Sequence, residues 1–454
     1  MSTSKLPARE AILVEGGTVV TCDSDDTVIE GDVLIDDGRI VAVGKKAREA
    51  RKKGSIVRVL DASGCAVLPG FVQAHVHLCQ VLFRGMADDL PLLEWLAQRI
   101  WPFEAAHDAR SLRASAELGL LEMMRAGTTT ILDMGTVHHH DEVMDACLRS
   151  GIRAISGKTM MDVGDAVPKG LRESTKWSLD ESDALRSRWD GKGHGRIGYA
   201  YAPRFVLSCS EALVRGVSER SHDNGALMHT HAAEHAGERE AVRAARGKDD
   251  LEILRGWGLA GERAILAHGV QLTDDEARML ADEGTRVVHC PSANLKLGSG
   301  IARIAELDEL GVQLAIGCDG APCNNNLDPW QELRHAALLA KVRTSTTAIP
   351  AKRALRLATI DGARALHLDR EIGSIEVGKR ADLVVVRLDG AHQEPGGDPF
   401  SRLVYATQAR DVEHVFVDGA HVVRDGEHQV FDDEETVSRA RTEAKKLAAR
   451  TQKK

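Results

Sequence analysis

At 454 residues the chain exceeds one small core, and either two or three average domains or a single α/β barrel with a small appended domain fits that length. Apolar residues at 43% and charged residues at 28% are ordinary for a soluble globular protein, and a net charge of -9 disfavours nucleic acid or an anionic membrane as the main partner, since both require a basic footprint. The cysteines form no C-x-x-C pair and are too sparse for a disulfide scaffold, so they read as reduced thiols. The opening residues, Met1-Ser-Thr-Ser-Lys-Leu-Pro, lack the apolar run of a signal peptide, and no stretch is long and apolar enough to span a bilayer, so a cytoplasmic location is expected.

In chain order, residues 11–60 read as short β-rich runs separated by Gly and Asp pairs, with Asp36-Asp-Gly38 as a hairpin turn. A strand then leads through Leu68-Pro-Gly-Phe-Val to His75. After it, strand-like runs at 128–134, 153–161, 196–202, 226–231, 264–268, 286–290 and 312–318 alternate with helical texture, clearest at 111–125 and 274–283. Eight β-then-α units predict an α/β fold, a closed parallel (β/α)8 barrel over residues 67–375. Strand texture returns at 381–388 and 412–423, so residues 1–66 and 376–454 are expected to meet in one small composite β domain, with 434–450 as a closing amphipathic helix.

Residues with metal-binding and acid–base chemistry fall at the ends of those strand runs. In Gln73-Ala-His75-Val-His77, two histidines at i and i+2 point to one face of a strand, at the C-terminal end where barrel active sites lie. A pair of surface histidines is the plain alternative, and the acidic, aromatic loop that follows weighs against it. Leu227-Met-His229-Thr-His231-Ala-Ala-Glu234-His235 admits two sharper readings. One is H-x-x-E-H on a helix, with His231 and His235 on zinc and Glu234 as base, as in one class of metalloprotease. The other ends the fifth barrel strand at His231 and leaves Glu234 in the loop beyond. The second is preferred, because the helical pattern starts only after Ala236 and the protease reading leaves His75 and His77 idle. His268 ends the next strand, and Asp319 follows the last one, where alone it would read as a turn or cap residue. Four strands thus present His75, His77, His231, His268, Glu234 and Asp319 at one mouth.

This constellation resembles the amidohydrolase superfamily, and within it the heterocycle aminohydrolases: methylthioadenosine and S-adenosylhomocysteine deaminases, guanine deaminase and triazine hydrolases. The resemblance spans nearly the whole chain, down to the closing signature Gly373-Ser-Ile-Glu-Val-Gly-Lys-Arg-Ala-Asp-Leu-Val-Val. It implies that His75, His77, His231 and Asp319 hold the metal. No lysine ends the fourth strand at 200–202, which argues against a carbamylated lysine bridging two metals, so one divalent ion is expected. Three imidazoles and a carboxylate suit zinc, with ferrous iron as the other option. Such a site lowers the pKa of a water towards about 7. In that scheme Asp319 takes a proton from the water, His268 orients it, and Glu234 protonates the ring nitrogen so that ammonia can leave. By analogy a homo-oligomer is expected. A scaffold that had lost its metal would lack ligands, and none of the set is missing.

The substrate reading divides. Asp89-Leu-Pro-Leu-Leu-Glu94-Trp95-Leu resembles the segment with which adenosine-type deaminases hold ribose hydroxyls, a task that suits the Glu94 carboxylate beside Trp95. An exposed helical Glu94 beside a buried Trp95 is the plain alternative. Asn324, in Gly320-Ala-Pro-Cys-Asn324-Asn325-Asn326, resembles the same group. Gln80 and Arg204 instead resemble guanine deaminase, and Arg204, a donor only, favours a carbonyl or carboxylate where adenosine-type relatives usually carry His. The expected substrate is a small molecule, an adenosine-type nucleoside such as 5′-deoxyadenosine, methylthioadenosine or S-adenosylhomocysteine. Guanine or 8-oxoguanine is the alternative, and a triazine a further one. His138-His-His140 is read as a solvated loop.

Overall fold

The structure is a computed structural model that describes residues 6–51 and 58–452, so residues 1–5, read above for a signal sequence, lie outside the described residues. Eight parallel strands follow one another in chain order: Phe71–Val76, Thr128–Met134, Arg153–Gly157, Ile197–Pro203, Leu227–Ala232, Ala264–His268, Arg286–His289 and Leu314–Ile316. The first and eighth meet where Val76 bridges Asp319 and the Asp319 amide donates to the His75 carbonyl at 3.0 Å, which brings the ring round to closure. These strands are buried on both faces, which is why they read as continuous apolar runs rather than as alternation. The run expected over 153–161 breaks at Lys158, whose ammonium is fully buried between Glu173 and Glu181, each at 2.6 Å.

Local signals set the surrounding helices. Helix Ala109–Arg125 starts at a capping box in which Asp108 and Ser111 exchange hydrogen bonds, and Asp274–Glu283 starts at another between Thr273 and Glu276. Gly70 separates the barrel from the strand before it. A Cβ there would lie 2.1 Å from the Thr129 hydroxyl, so only glycine lets the chain enter the first barrel strand.

A second, nine-stranded sheet draws on both chain ends. Its halves join where Cys65–Pro69 pairs antiparallel with Leu383–Arg387. Two of its hairpins turn on Asp37-Gly38 and Asp418-Gly419, with φ of 44° and 78°, and 52° and 74°; paired left-handed residues are what a type I′ turn requires. Arg153 ties this sheet to the barrel through a bidentate contact with Asp382 at 2.9 and 3.1 Å. The closing helix, Asp433–Thr451, leaves the small sheet and lies along Ala109–Arg125, held by Arg439–Glu117 at 2.6 Å and Arg450–Asp108 at 3.0 Å. No helix among the described residues is long and apolar enough to cross a membrane.

Candidate active site

The C-terminal ends of the first, fifth, sixth and eighth barrel strands bring His75, His77, His231, His268, Glu234 and Asp319 together. His75 Nε2 and His77 Nε2 lie 3.2 and 3.4 Å from Asp319 Oδ1, and His77 Nε2 lies 3.2 Å from His231 Nε2. Ligand atoms set about 2.0–2.1 Å from a tetrahedral centre stand about 3.3 Å from one another, so this spacing fits one metal ion. His75 Nε2 is buried and makes no hydrogen bond, as a lone pair reserved for a cation requires. Barrel closure makes the cluster, because the bridge from Val76 to Asp319 is what sets the carboxylate beside the two histidines.

The far side of each ring is fixed. His77 Nδ1 donates to the Met134 carbonyl at 2.8 Å, His231 Nδ1 to the Arg204 carbonyl at 2.8 Å, and His268 Nδ1 to the Asn294 amide oxygen at 2.9 Å. His75 Nδ1 meets His229 Nε2 at 2.8 Å. Such contacts hold the tautomer in which Nε2 carries the free lone pair. Burial lowers the pKa of His75, pushes that of His77 down to about 3 and that of His231 well below the ordinary range, with the neighbouring His75 charge adding to the last two. The rings are therefore neutral ligands at physiological pH. Asp133, at the end of the second strand, accepts from the Leu78 amide at 2.8 Å and the Ser156 hydroxyl at 2.6 Å, which fixes the turn after His77.

The two carboxyl groups are driven apart. Burial raises the Glu234 pKa well above the usual range and the Asp319 charge raises it further, against a smaller opposing pull from Arg204. Burial would raise Asp319 as well, but its contact with His75 and the charges of His75, His268 and His77 hold it well below. His268 Nε2 stands between them, 3.5 Å from Glu234 Oε2 and 3.9 Å from Asp319 Oδ2. A neutral acid and an ionised carboxylate on either side of one imidazole can give one proton and take another. The Cys323 thiol, kept protonated by burial and by the Asp319 charge, donates to Asp319 Oδ2 at 3.2 Å.

Around this centre, Gln80, Trp95 and Arg204 line the pocket with Leu92, Leu96 and Phe205. Glu94 does not join them: it is exposed, with Gln98 at 3.5 Å. Asn324 lies behind the Asp319 turn, donating to the Cys318 carbonyl at 2.7 Å and to Glu332 at 3.1 Å, and does not line the pocket. His138 is exposed on the Gly170 carbonyl, while His140 is buried near Ser156, so the three-histidine run is only partly solvated and stays out of the pocket. His235 caps helix Ala236–Arg246, accepting from the Gly237 amide at 3.0 Å; His231 and His235 therefore sit on different elements, and a helical H-x-x-E-H site is not formed.

Sequence reading missed Glu104. This buried carboxylate forms a fork-to-fork pair with Arg204 at 2.7 and 3.2 Å and accepts from the Gln80 amide at 2.9 Å. It lies in the segment Ile100-Trp-Pro-Phe-Glu104, next to the one singled out, and its partner is a hundred positions away along the chain. Two polar atoms at the pocket, Gln80 Oε1 and Trp95 Nε1, are buried without a partner, an open acceptor and an open donor.

Comparison with known proteins agrees with this geometry. The sequence model of the amidohydrolase family matches residues 66–422. A 5′-deoxyadenosine deaminase of Methanosarcina acetivorans is 36% identical over 97% of this chain and 99% of its own length. A 5-methylthioadenosine/S-adenosylhomocysteine deaminase of Halobacterium salinarum is 39% identical over the same shares. The crystal structure of a zinc-bound adenosine deaminase from Xanthomonas campestris superposes with a TM-score of 0.90 at 35% identity, covering 96% of this chain and 98% of that one. Barrel, ligand cluster and full-length likeness agree, and the chain belongs to the amidohydrolase family, as a hydrolase acting on C–N bonds.

Proposed function

We propose that this protein is a single-metal aminohydrolase that converts an adenosine-type nucleoside, modified at its 5′ position, into the inosine-type product and ammonia. The observation that carries the reading is geometric: Glu234 and Asp319 flank His268 Nε2 at 3.5 and 3.9 Å, beside the converging Nε2 atoms of His75, His77 and His231. His75, His77, His231 and Asp319 would hold the ion, and their donor set of three nitrogens and one oxygen favours zinc; His75, His77 and Asp319 converge as one candidate ligand group, and His75, His231 and His268 as a second that shares His75. When bound, the metal supplies Lewis-acid activation of water near neutral pH.

The chain's own residues do the rest. Asp319 accepts the proton of the attacking water. His268, held by Asn294, orients that water and stabilises the charge that develops. Glu234, neutral because it is buried, donates its proton to the ring nitrogen and makes the adjacent carbon electrophilic. The open acceptor Gln80 Oε1 and open donor Trp95 Nε1 match a ligand that offers both hydroxyls and ring nitrogens, as a nucleoside does. In this reading the carboxylate that organises the sugar end is Glu104, acting with Arg204 and Gln80, and Glu94 has no part in it. Relatives named for 5′-modified adenosine substrates support the nucleoside over a triazine. The reading keeps a division into a barrel over 67–375 and a composite domain of 1–66 with 376–454, a cytoplasmic location and a homo-oligomer.

The test is ammonia release by zinc-loaded protein from 5′-deoxyadenosine, methylthioadenosine, S-adenosylhomocysteine, adenosine, guanine and 8-oxoguanine. Turnover of the 5′-modified adenosines with guanine inert is expected. Turnover of guanine or 8-oxoguanine alone would transfer Arg204 to a base carbonyl and overturn the nucleoside assignment.

A further inference from the structure

The opposite face of the barrel holds a cleft of about 480 Å³, at the N-terminal ends of the third to sixth strands. That size lies within the range of small-molecule sites. Arg153, Arg186, Arg196 and Arg263 line it, against Asp190 and an exposed Glu262. Two of these arginines are answered: Arg153 by Asp382 at 2.9 Å and Arg186 by Asp190 at 3.6 Å. The other two are not. Arg196 is only 5% exposed and donates Nη1 to the Ile152 carbonyl at 2.7 Å, with no carboxylate within ion-pair distance among the described residues, and Arg263 likewise has none.

A guanidinium cannot shed its proton to escape burial, so an unpaired buried arginine is a standing demand for an anion. Burial and the neighbouring Arg153 both press against the Arg196 charge. The rim of the cleft is correspondingly bare. Gly191, Gly195 and Gly225 border it in left-handed conformations with φ of 82°, 82° and 75°, and a Cβ added at any of them would meet nothing within 4 Å, which leaves the backbone open to close approach.

We propose that this cleft is a second binding site, remote from the catalytic mouth, for a small molecule that carries a phosphate group, with Arg196 and Arg263 as its anchors. Two planar donor forks suit phosphate oxygens bidentately, and their two charges match those of a phosphate monoester near neutral pH. The site stands independently of the reading of the active centre.

Calorimetric titration of the full-length, metal-loaded protein with inorganic phosphate and, separately, with glycerol 3-phosphate, which carries no base for the catalytic mouth, tests it. Saturable binding of at least one probe is expected, weakened tenfold or more by Arg263→Glu and by Arg196→Lys, with deaminase kcat/KM unchanged in Arg263→Glu. Tighter binding of glycerol 3-phosphate would assign the site to phosphate esters, and equal binding of both to free phosphate; either supports the proposal. Should Arg196→Lys fail to fold, Arg263→Glu and the half-exposed Arg186→Glu decide. Absence of saturable binding by both probes, or binding indifferent to these substitutions, overturns it.

Discussion

Removing Glu104 while leaving Arg204 in place isolates the buried pair that frames the pocket. Both side chains are only 4% exposed, so Glu104→Leu strands a guanidinium out of reach of water. Breaking a buried pair from one side costs about 3–5 kcal/mol. The Gln80 amide loses its acceptor as well, a further cost of about 1–3 kcal/mol if it finds no other partner. Because these losses share one carboxylate they do not add fully, and a total of about 4–5 kcal/mol is expected. The double substitution Glu104→Leu with Arg204→Met removes both charges and leaves apolar groups of similar length. Such replacements are often neutral or better, so most of the loss should return, to within about 2 kcal/mol of the wild type. Urea unfolding of the zinc-loaded wild type, both single variants and the double variant, followed by circular dichroism, gives the cycle. A Glu104→Leu cost below about 1 kcal/mol, or a double variant no more stable than the worse single one, would refute the claim that an uncompensated Arg204 dominates.

Two further outcomes follow from the same geometry. Glu234→Gln should lower kcat by about 10²–10⁴-fold with metal content unchanged, since Glu234 reaches His268 rather than the ligand cluster. Its raised pKa keeps the acid form at neutral pH, so the wild-type rate should fall as pH rises through that pKa, and the Gln variant should lose this limb of the profile; an unchanged profile would reassign the acid. Asn324→Ala should cost about 1–3 kcal/mol and reduce kcat more than it raises KM, because Asn324 positions the Cys318–Asp319 turn from behind; a rise in KM alone would return it to substrate contact.

The proposed metal-ligand residues share one sequence signal: each ends or follows an apolar strand run. A polar residue at that point of a parallel barrel can only face the mouth, so His75, His77, His231, His268 and Asp319 could be placed together from one-dimensional pattern alone. Glu234 came with His231, since its loop is short. The pocket wall was harder. Glu94 and Glu104 both lie in an apolar helical stretch, and a wide helical turn over Leu96–Ile100 separates them and re-aims the face. Which glutamate turns inward depends on Arg204 waiting just beyond the end of the fourth strand, a contact that local periodicity does not encode. Asn324 differs for the opposite reason: its segment resembles a binding loop, but its amide nitrogen turns to the Cys318 carbonyl and Glu332 behind the Asp319 turn. The helix at 434–450 was read correctly as a helix, while its packing on Ala109–Arg125 rests on Arg439 and Arg450 finding Glu117 and Asp108, partners more than three hundred positions away.

Metal stoichiometry measured alongside ammonia release is the most direct check on the single-metal centre. The protein is stripped with a chelator, reloaded with zinc in steps, and assayed at each step with 5′-deoxyadenosine. Activity should be lost on stripping, rise in proportion to occupancy, and saturate at one ion per chain, with His231→Ala neither binding nor turning over. Saturation at two ions, or full ammonia release from the stripped protein, would contradict it.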